Sequence, residues 1–318
     1  MFIARNEKGQ LVNVLEDEVT RGAYSCPACQ GEVGLKNGHI MRKHFAHRSL
    51  ENCQFYSENE SSEHLNLKAS FYRWAKQDHP VVVEHYLPDL QQIADVFVGD
   101  KLALEVQCSP LSPARLTERT LSYREQGYQV IWLLGKKLWL KASLTALQYD
   151  FLYFSQTLGF YLWEADSERE VLRLKYLIHE DLHGKAQYKT KEFPFEEGDL
   201  LAVLRYPFQQ KQVQTLLGQL DSDICSYVRK QLYFQVPRWM SLQEQAYLVG
   251  ENLLEKSPED FYPQLTLPRK ECFTQISQPL DWYRESFAYY YQNQTCKRVQ
   301  VLYSPAFYRS ILQKNMIE

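Results

Sequence analysis

No stretch of this sequence stays apolar for the roughly 20 residues that a membrane-spanning helix needs. A helical membrane protein is therefore excluded. Nor is there an excess of positive charge. The formal net charge is −3, so no global field draws polyanions, and any contact with nucleic acid must use local patches. Repeats and low-complexity tracts are missing as well, which leaves an ordinary folded chain. The opening Met-Phe-Ile-Ala-Arg-Asn-Glu has neither the charged region nor the apolar stretch of a secretory signal. Seven cysteines are an odd count, several of them isolated in periodic segments, which suits a reducing compartment better than a disulfide framework. The expectation is a cytoplasmic protein that neither crosses nor binds a membrane.

What is present supports a sizeable core. The 318 residues are 45% hydrophobic and 24% charged, enough for two or more domains. Tyrosine is abundant, at 22 residues. Exposed tyrosines can stack on bases, although most will pack cores.

Residues 1–56 read as a small metal module. A hairpin turns at Lys8-Gly9, and Cys26-Pro-Ala-Cys29 follows as a C-x-x-C knuckle. A second turn at Lys36-Asn37-Gly38 leads back to His44 and His47, with Cys53 beyond. Tetrahedral zinc takes four nitrogen or sulfur ligands, and a module with little core gains folding energy from it. Cys26 and Cys29 supply two. Two of His44, His47 and Cys53 complete a structural site, with His39 read as a turn residue. The βαβ context of a redox C-x-x-C is absent.

Residues 57–141 carry a different pattern. In order they read helix, strand, strand, strand, helix, strand: an αβββαβ core of the α/β class. Ser61 or Ser62 caps the first helix, which buries Leu65, Ala69 and Tyr72. Ile93 to Val98 and Leu102 to Gln107 form a hairpin about Gly99-Asp100. Ser112-Pro113 opens the next helix, Gly127 closes it, and Tyr128 to Leu134 is a fully apolar strand.

Two acids break the hairpin's apolar rhythm. Asp95 lies across from Glu105, or one step off, depending on whether the loop holds two residues or three. Asp is depleted in strands, and neighbouring carboxylates repel and resist desolvation. A divalent cation removes that cost, and Mg²⁺ or Mn²⁺ accepts one or two carboxylates plus water and phosphate oxygens. Glu63, in the first turn of the preceding helix, is a third acid within reach. Together they read as a phosphodiester-cleaving metal site.

Glu63, Asp95 and Glu105-Val106-Gln107 on this core resemble the PD-(D/E)xK nuclease superfamily, with Gln107 where the motif has lysine. With the cysteine-rich module, the first 140 or so residues resemble the competence protein CoiA family. The resemblance implies a restriction-endonuclease-like fold with Glu63, Asp95, Glu105 and Gln107 at the catalytic centre. It also implies DNA as substrate, single-stranded or branched, in natural transformation and homologous recombination, with the recombinase and other competence proteins as partners. Gln107 brings no charge and cannot act as a base. Lys68 or Arg119 is the candidate replacement, and both are candidate nucleic-acid contacts. A non-catalytic DNA-binding protein that assists the recombinase on a decayed nuclease fold is the alternative, and a zinc-stabilised scaffold a third reading.

Residues 142–318 read as a mainly helical domain, with helices over 199–220, 221–234, 241–256 (capping box Ser241/Glu244) and 282–293 and a short strand at 299–303. Lys185, Lys189 and Lys191, with His179, His183 and Tyr188, form a basic-aromatic loop able to track a nucleic-acid backbone.

Overall fold

The computed structural model describes residues 1–38, 41–49 and 60–315. The first part is a five-stranded antiparallel sheet of β1 (Ile3–Asn6), β2 (Leu11–Asn13), β3 (Tyr24–Ser25), β4 (Glu32–Lys36) and β5 (His44–His47), in the order β2-β1-β3-β4-β5. Its buried set is small: Met1, Ala4, Val19, Cys26, Val33 and Phe45. So little apolar surface stabilises a fold only weakly on its own.

The second part is organised by α1 (Ser62–Lys76) and the strands behind it, β6 (Val81–Leu87), β7 (Gln92–Val98) and β8 (Leu102–Gln107). Ser61 caps α1 by accepting from the His64 N–H at 3.2 Å. The β7–β8 pairs run from Val98 opposite Leu102 to Val96 opposite Leu104, which makes the connection three residues long, with Gly99 at φ +58°. That register sets Asp95 one step past the last pair, across from Glu105. Next come α2 (Pro113–Glu125), capped by Ser112, and β9 (Gln129–Leu134), which pairs parallel to β8.

The sheet does not stop there. After α3 (Ala146–Phe151) and β10 (Tyr153–Ser155), β11 (Gly159–Asp166) pairs parallel to β9, and β12 (Val171–Glu180) and β13 (Ala186–Pro194) extend it. The result is an eight-stranded mixed sheet, β13-β12-β11-β9-β8-β7-β6, with β10 on β11. One face packs against α1 and α4 (Leu200–Gln209), through Leu65, Phe71, Trp74, Leu200 and Leu204. The other packs against α2, α3 and the tyrosine-rich pair α7 (Asp281–Gln292) and α8 (Pro305–Asn315).

Five expectations for residues 142–318 are corrected. The region is not mainly helical through its first third, and residue 141 does not divide the sheet. All eight residues of β11 are buried, as are nine of the ten in β12, so neither shows the alternation that marks a half-exposed strand. The helix expected over 199–220 ends at Gln209 and gives way to β14 (Thr215–Leu217). Helices α5 (Ile224–Tyr233) and α6 (Pro237–Leu248) follow, and α6 starts at Pro237, so Ser241 lies inside it rather than at its cap. β15 (Val301–Tyr303), pairing with β14, precedes α8. Lys189 and Lys191 stand on the edge strand β13, not in a loop. Among the described residues no helix is long and apolar enough to cross a membrane.

Candidate active site

A cavity of about 460 Å³ opens where β7 and β8 part at the end of their pairing. Its lining draws on every neighbouring layer: Asp95 and Glu105 from the strands, Glu63, His64 and Lys68 from α1, Arg115 and Arg119 from α2. Ile3 of β1 and Pro27-Ala28 of the knuckle close one side. The small amino-terminal sheet is thus a wall of the cavity.

Asp95 and Glu105 are gripped from opposite helix layers. Asp95 Oδ2 accepts from the Val106 N–H at 2.9 Å and lies 3.1 Å from His64 Nε2; Oδ1 is 3.8 Å from Lys68 Nζ. Burial pushes its carboxyl up, but His64, Lys68 and the Val106 N–H outweigh that and hold it below the usual range. Glu105 is buried, and its Oε1 takes Arg119 Nη2 at 2.9 Å and the Tyr123 hydroxyl. Burial dominates there and raises its carboxyl to about 7 despite Arg119. The guanidinium of Arg119 also lies over the Trp132 ring, 5.2 Å from its centroid. Adjacent carboxylates whose affinities for a proton are driven apart are a mark of functional sites.

Lys68 is not the exposed cation that a nucleic-acid contact requires. It is 1% exposed, with Nζ against Glu60, 2.6 Å from Glu84 Oε1 and near Asp95. A buried ammonium is tolerable only with such partners. Glu60 and Glu84 were missed by sequence reasoning. Glu84, in V-V-V-E-H-Y, looks like the polar beat of an alternating strand. Its backbone sits at φ +52°, a conformation that strains a non-glycine residue, and its carboxylate accepts from the Phe2 and Ile3 N–H groups at 2.6 and 3.1 Å. One side chain therefore ties the amino-terminal sheet to Lys68. No signal in the sequence marks that tie, which spans more than 80 residues.

Glu63 lines the cavity, but its Oε1 accepts from the Lys136 N–H at 2.7 Å, in the turn after β9. Gln107 is buried and donates from Nε2 to its own turn, at the Ser109 carbonyl, 2.6 Å away. Among the described residues, the one trio of metal-ligating side chains with ligand atoms all within 4.8 Å is Cys26, Cys29 and His47. Glu63 makes no such trio with Asp95 and Glu105.

The trio sits in a tight knuckle. The Gln30 N–H donates to the Cys26 carbonyl at 2.9 Å and the Cys26 N–H to the Gly31 carbonyl at 2.8 Å. Gln30 lies at φ +62°. Cys29 Sγ and His47 Nε2 are 3.3 Å apart, close enough to share one tetrahedral ion. His44 is not in the cluster, and its Nδ1 is 2.7 Å from the Arg42 carbonyl. Cys53 and His39 lie outside the described residues. Burial pushes the Cys26 thiol up to about 12, a cost that a cation's own charge removes. The cluster could hold a metal such as zinc.

Residues 60–206, which carry the acids, Lys68 and the sheet through β13, match the family described as "Competence protein CoiA, nuclease-like domain". Residues 10–56, with the knuckle, match "Competence protein CoiA, N-terminal domain". The two matches together cover more than half of the chain, which belongs to the competence protein CoiA family. It is similar to the Competence protein CoiA of Bacillus subtilis (strain 168), 33% identical over 122 residues. That alignment covers 37% of this chain and 33% of the relative, so it spans about a third of the relative's length. No solved structure matches the chain.

Proposed function

We propose that the chain is a divalent-cation-dependent DNA phosphodiesterase, acting in the cytoplasm on single-stranded or branched DNA during transformation and recombination. The observation that carries this reading is the meeting of Asp95 and Glu105 in one cavity, gripped from α1 and from α2. DNA, the competence setting, and the recombinase and other competence proteins as partners follow from family membership.

Asp95 and Glu105 are the residues that would hold Mg²⁺ or Mn²⁺, a set of two hard oxygens that leaves room for water and a phosphate oxygen. Bound there, the ion would supply polarisation of the scissile phosphate and an activated water. The protein does the rest. Val106 N–H and His64 fix the Asp95 carboxylate, and Lys68 favours its charged form. Arg119 orients Glu105, whose high proton affinity means that cation binding displaces a proton. Gln107 adds no charge, so positive charge beside the reacting phosphate comes from other residues that line the cavity. Zinc at Cys26, Cys29 and His47, with Cys53 as the remaining candidate ligand, is structural.

Gln107 favours a second reading. Its amide donates to the Ser109 carbonyl within its own turn, as in a fold that binds DNA without cutting it. Incubation with labelled single-stranded, duplex and branched DNA in Mg²⁺ or Mn²⁺ separates the two. Cleavage lost in Asp95→Ala and Glu105→Ala, with DNA binding kept, supports the enzyme. Equal cleavage by wild type and both variants refutes it.

A further inference from the structure

Five basic side chains line the acidic cavity, and they divide by what they touch. Lys68, His64 and Arg119 are paired with the cavity's own carboxylates. Arg115 and Lys137 line the same cavity, are exposed, and carry no ion pair among the described residues. Arg115 stands one helical turn before Arg119. Lys137 stands in the tight turn Lys136–Leu138 just after β9.

That turn is tied down at three points. The Gly135 N–H donates to the Gln107 carbonyl at 2.8 Å, next to the strand end that carries Glu105. The Leu138 N–H donates to the Gly135 carbonyl at 2.9 Å, and the Lys136 N–H to Glu63 at 2.7 Å. Gly135 is packed so closely that an added Cβ would lie 2.7 Å from Cys108 Sγ and 3.0 Å from Glu63 Oε1. The backbone that presents Lys137 is therefore fixed. A floor of carboxylates repels a phosphodiester, so a polyanion reaching it needs cations at the mouth that are not already neutralised.

We propose that Arg115 and Lys137 form a clamp for the phosphates that flank the reacting one on a nucleic-acid strand. Glu63 is the positioning residue that holds the Lys137 turn. The proposal rests on reading the cavity as a phosphodiester site, and it moves Glu63 from cation ligand to backbone tether.

The test is binding of a fluorescein-labelled oligothymidylate to the full chain by anisotropy, without added Mg²⁺ or Mn²⁺, over a salt series. Arg115→Gln and Lys137→Gln should each weaken binding several-fold at low salt and lower the slope of log affinity against log salt by about 0.7. Lys136→Gln is the control. Its ammonium pairs with Glu168 at 2.8 Å and does not line the cavity, so it should leave the slope unchanged. Glu63→Ala should weaken binding, and Glu63→Gln, which can still accept from the Lys136 N–H, should restore it. A residue that served only as a cation ligand would leave this cation-free binding undiminished in both forms, and that result overturns the tether. Wild-type slopes in Arg115→Gln and Lys137→Gln, or an equal fall in Lys136→Gln, overturn the clamp. Mn²⁺ titration of the same samples judges the acidic site separately: absent Mn²⁺ binding with altered slopes defeats the hydrolase and leaves the clamp standing.

Discussion

Asp95 accepts from the backbone N–H of Val106 at 2.9 Å, so the strand that carries Glu105 itself fixes the opposing carboxylate. The ladder between the two strands ends at Val96 and Leu104, and the side chain takes the place of the next backbone acceptor. The acid proposed to hold a cation is thereby positioned by the fold's backbone.

Lys68 is the counter-charge of this arrangement, and its removal should be felt as stability. Lys68→Met leaves Glu60 and Glu84 with only the Met1 ammonium and the Phe2 and Ile3 N–H groups against them, a partly compensated pair, so the loss is at most about 3–5 kcal/mol. Urea unfolding should show the loss as a lower midpoint. At a temperature where the variant is folded, the salt dependence of its oligonucleotide binding should equal the wild type's. A change in that slope with full stability would return Lys68 to the DNA-contacting role expected from sequence.

Metal analysis of the purified chain should find zinc at one per molecule. Cys26→Ser and His47→Ala should each lose most of it and lower the unfolding temperature of the amino-terminal part, because so small a core depends on the ion. His44→Ala should retain zinc, and Cys53→Ser should bind it more weakly. Because Pro27 and Ala28 wall the acidic cavity, zinc loss should also impair DNA binding. Zinc retained in Cys26→Ser would refute the assignment.

The two strand acids were legible in the sequence because Asp and Glu are conspicuous against valine and leucine on a hairpin, and the Gly99 turn limited the register to two choices. The knuckle was legible from C-x-x-C spacing alone. Choosing His47 over His44 required the β4–β5 pairing, which puts His47 opposite Val33 beside the knuckle and His44 opposite Lys36 at the far end. The Glu60–Lys68–Glu84 cluster joins α1, β6 and a residue just before α1, and no local pattern encodes such a meeting. β11 and β12 were misread for a different reason. Strands covered on both faces lose the period of two, and an aromatic run such as G-F-Y-L-W then has no distinguishing rhythm.

Acid should weaken the fold through His179. Burial pushes its imidazole down to about 4 from an ordinary 6.5, and among the described residues Nε2 has no partner while Nδ1 lies 2.7 Å from the Leu177 carbonyl. The unfolded chain takes up the proton near 6.5, whereas the folded chain resists it until about 4. This contribution is therefore fully present above 6.5 and lost as pH falls toward 4, by at most about 3 kcal/mol. His179→Phe, which keeps an aromatic ring against Phe287, should be less stable at pH 7 but show a flatter stability curve between pH 6.5 and 4. An unchanged slope would show that other groups govern the acid limit.

The proposed hydrolysis requires Asp95 and Glu105 to share one cation. Electron paramagnetic resonance of Mn²⁺ titrated into the zinc-loaded chain at pH 8, above the pH where Glu105 gains its proton, measures this directly. The expected result is one bound Mn²⁺ per wild-type molecule, with at least tenfold weaker binding in Asp95→Asn and in Glu105→Gln. Wild-type affinity in both variants, or no bound Mn²⁺ in the wild type, would contradict it.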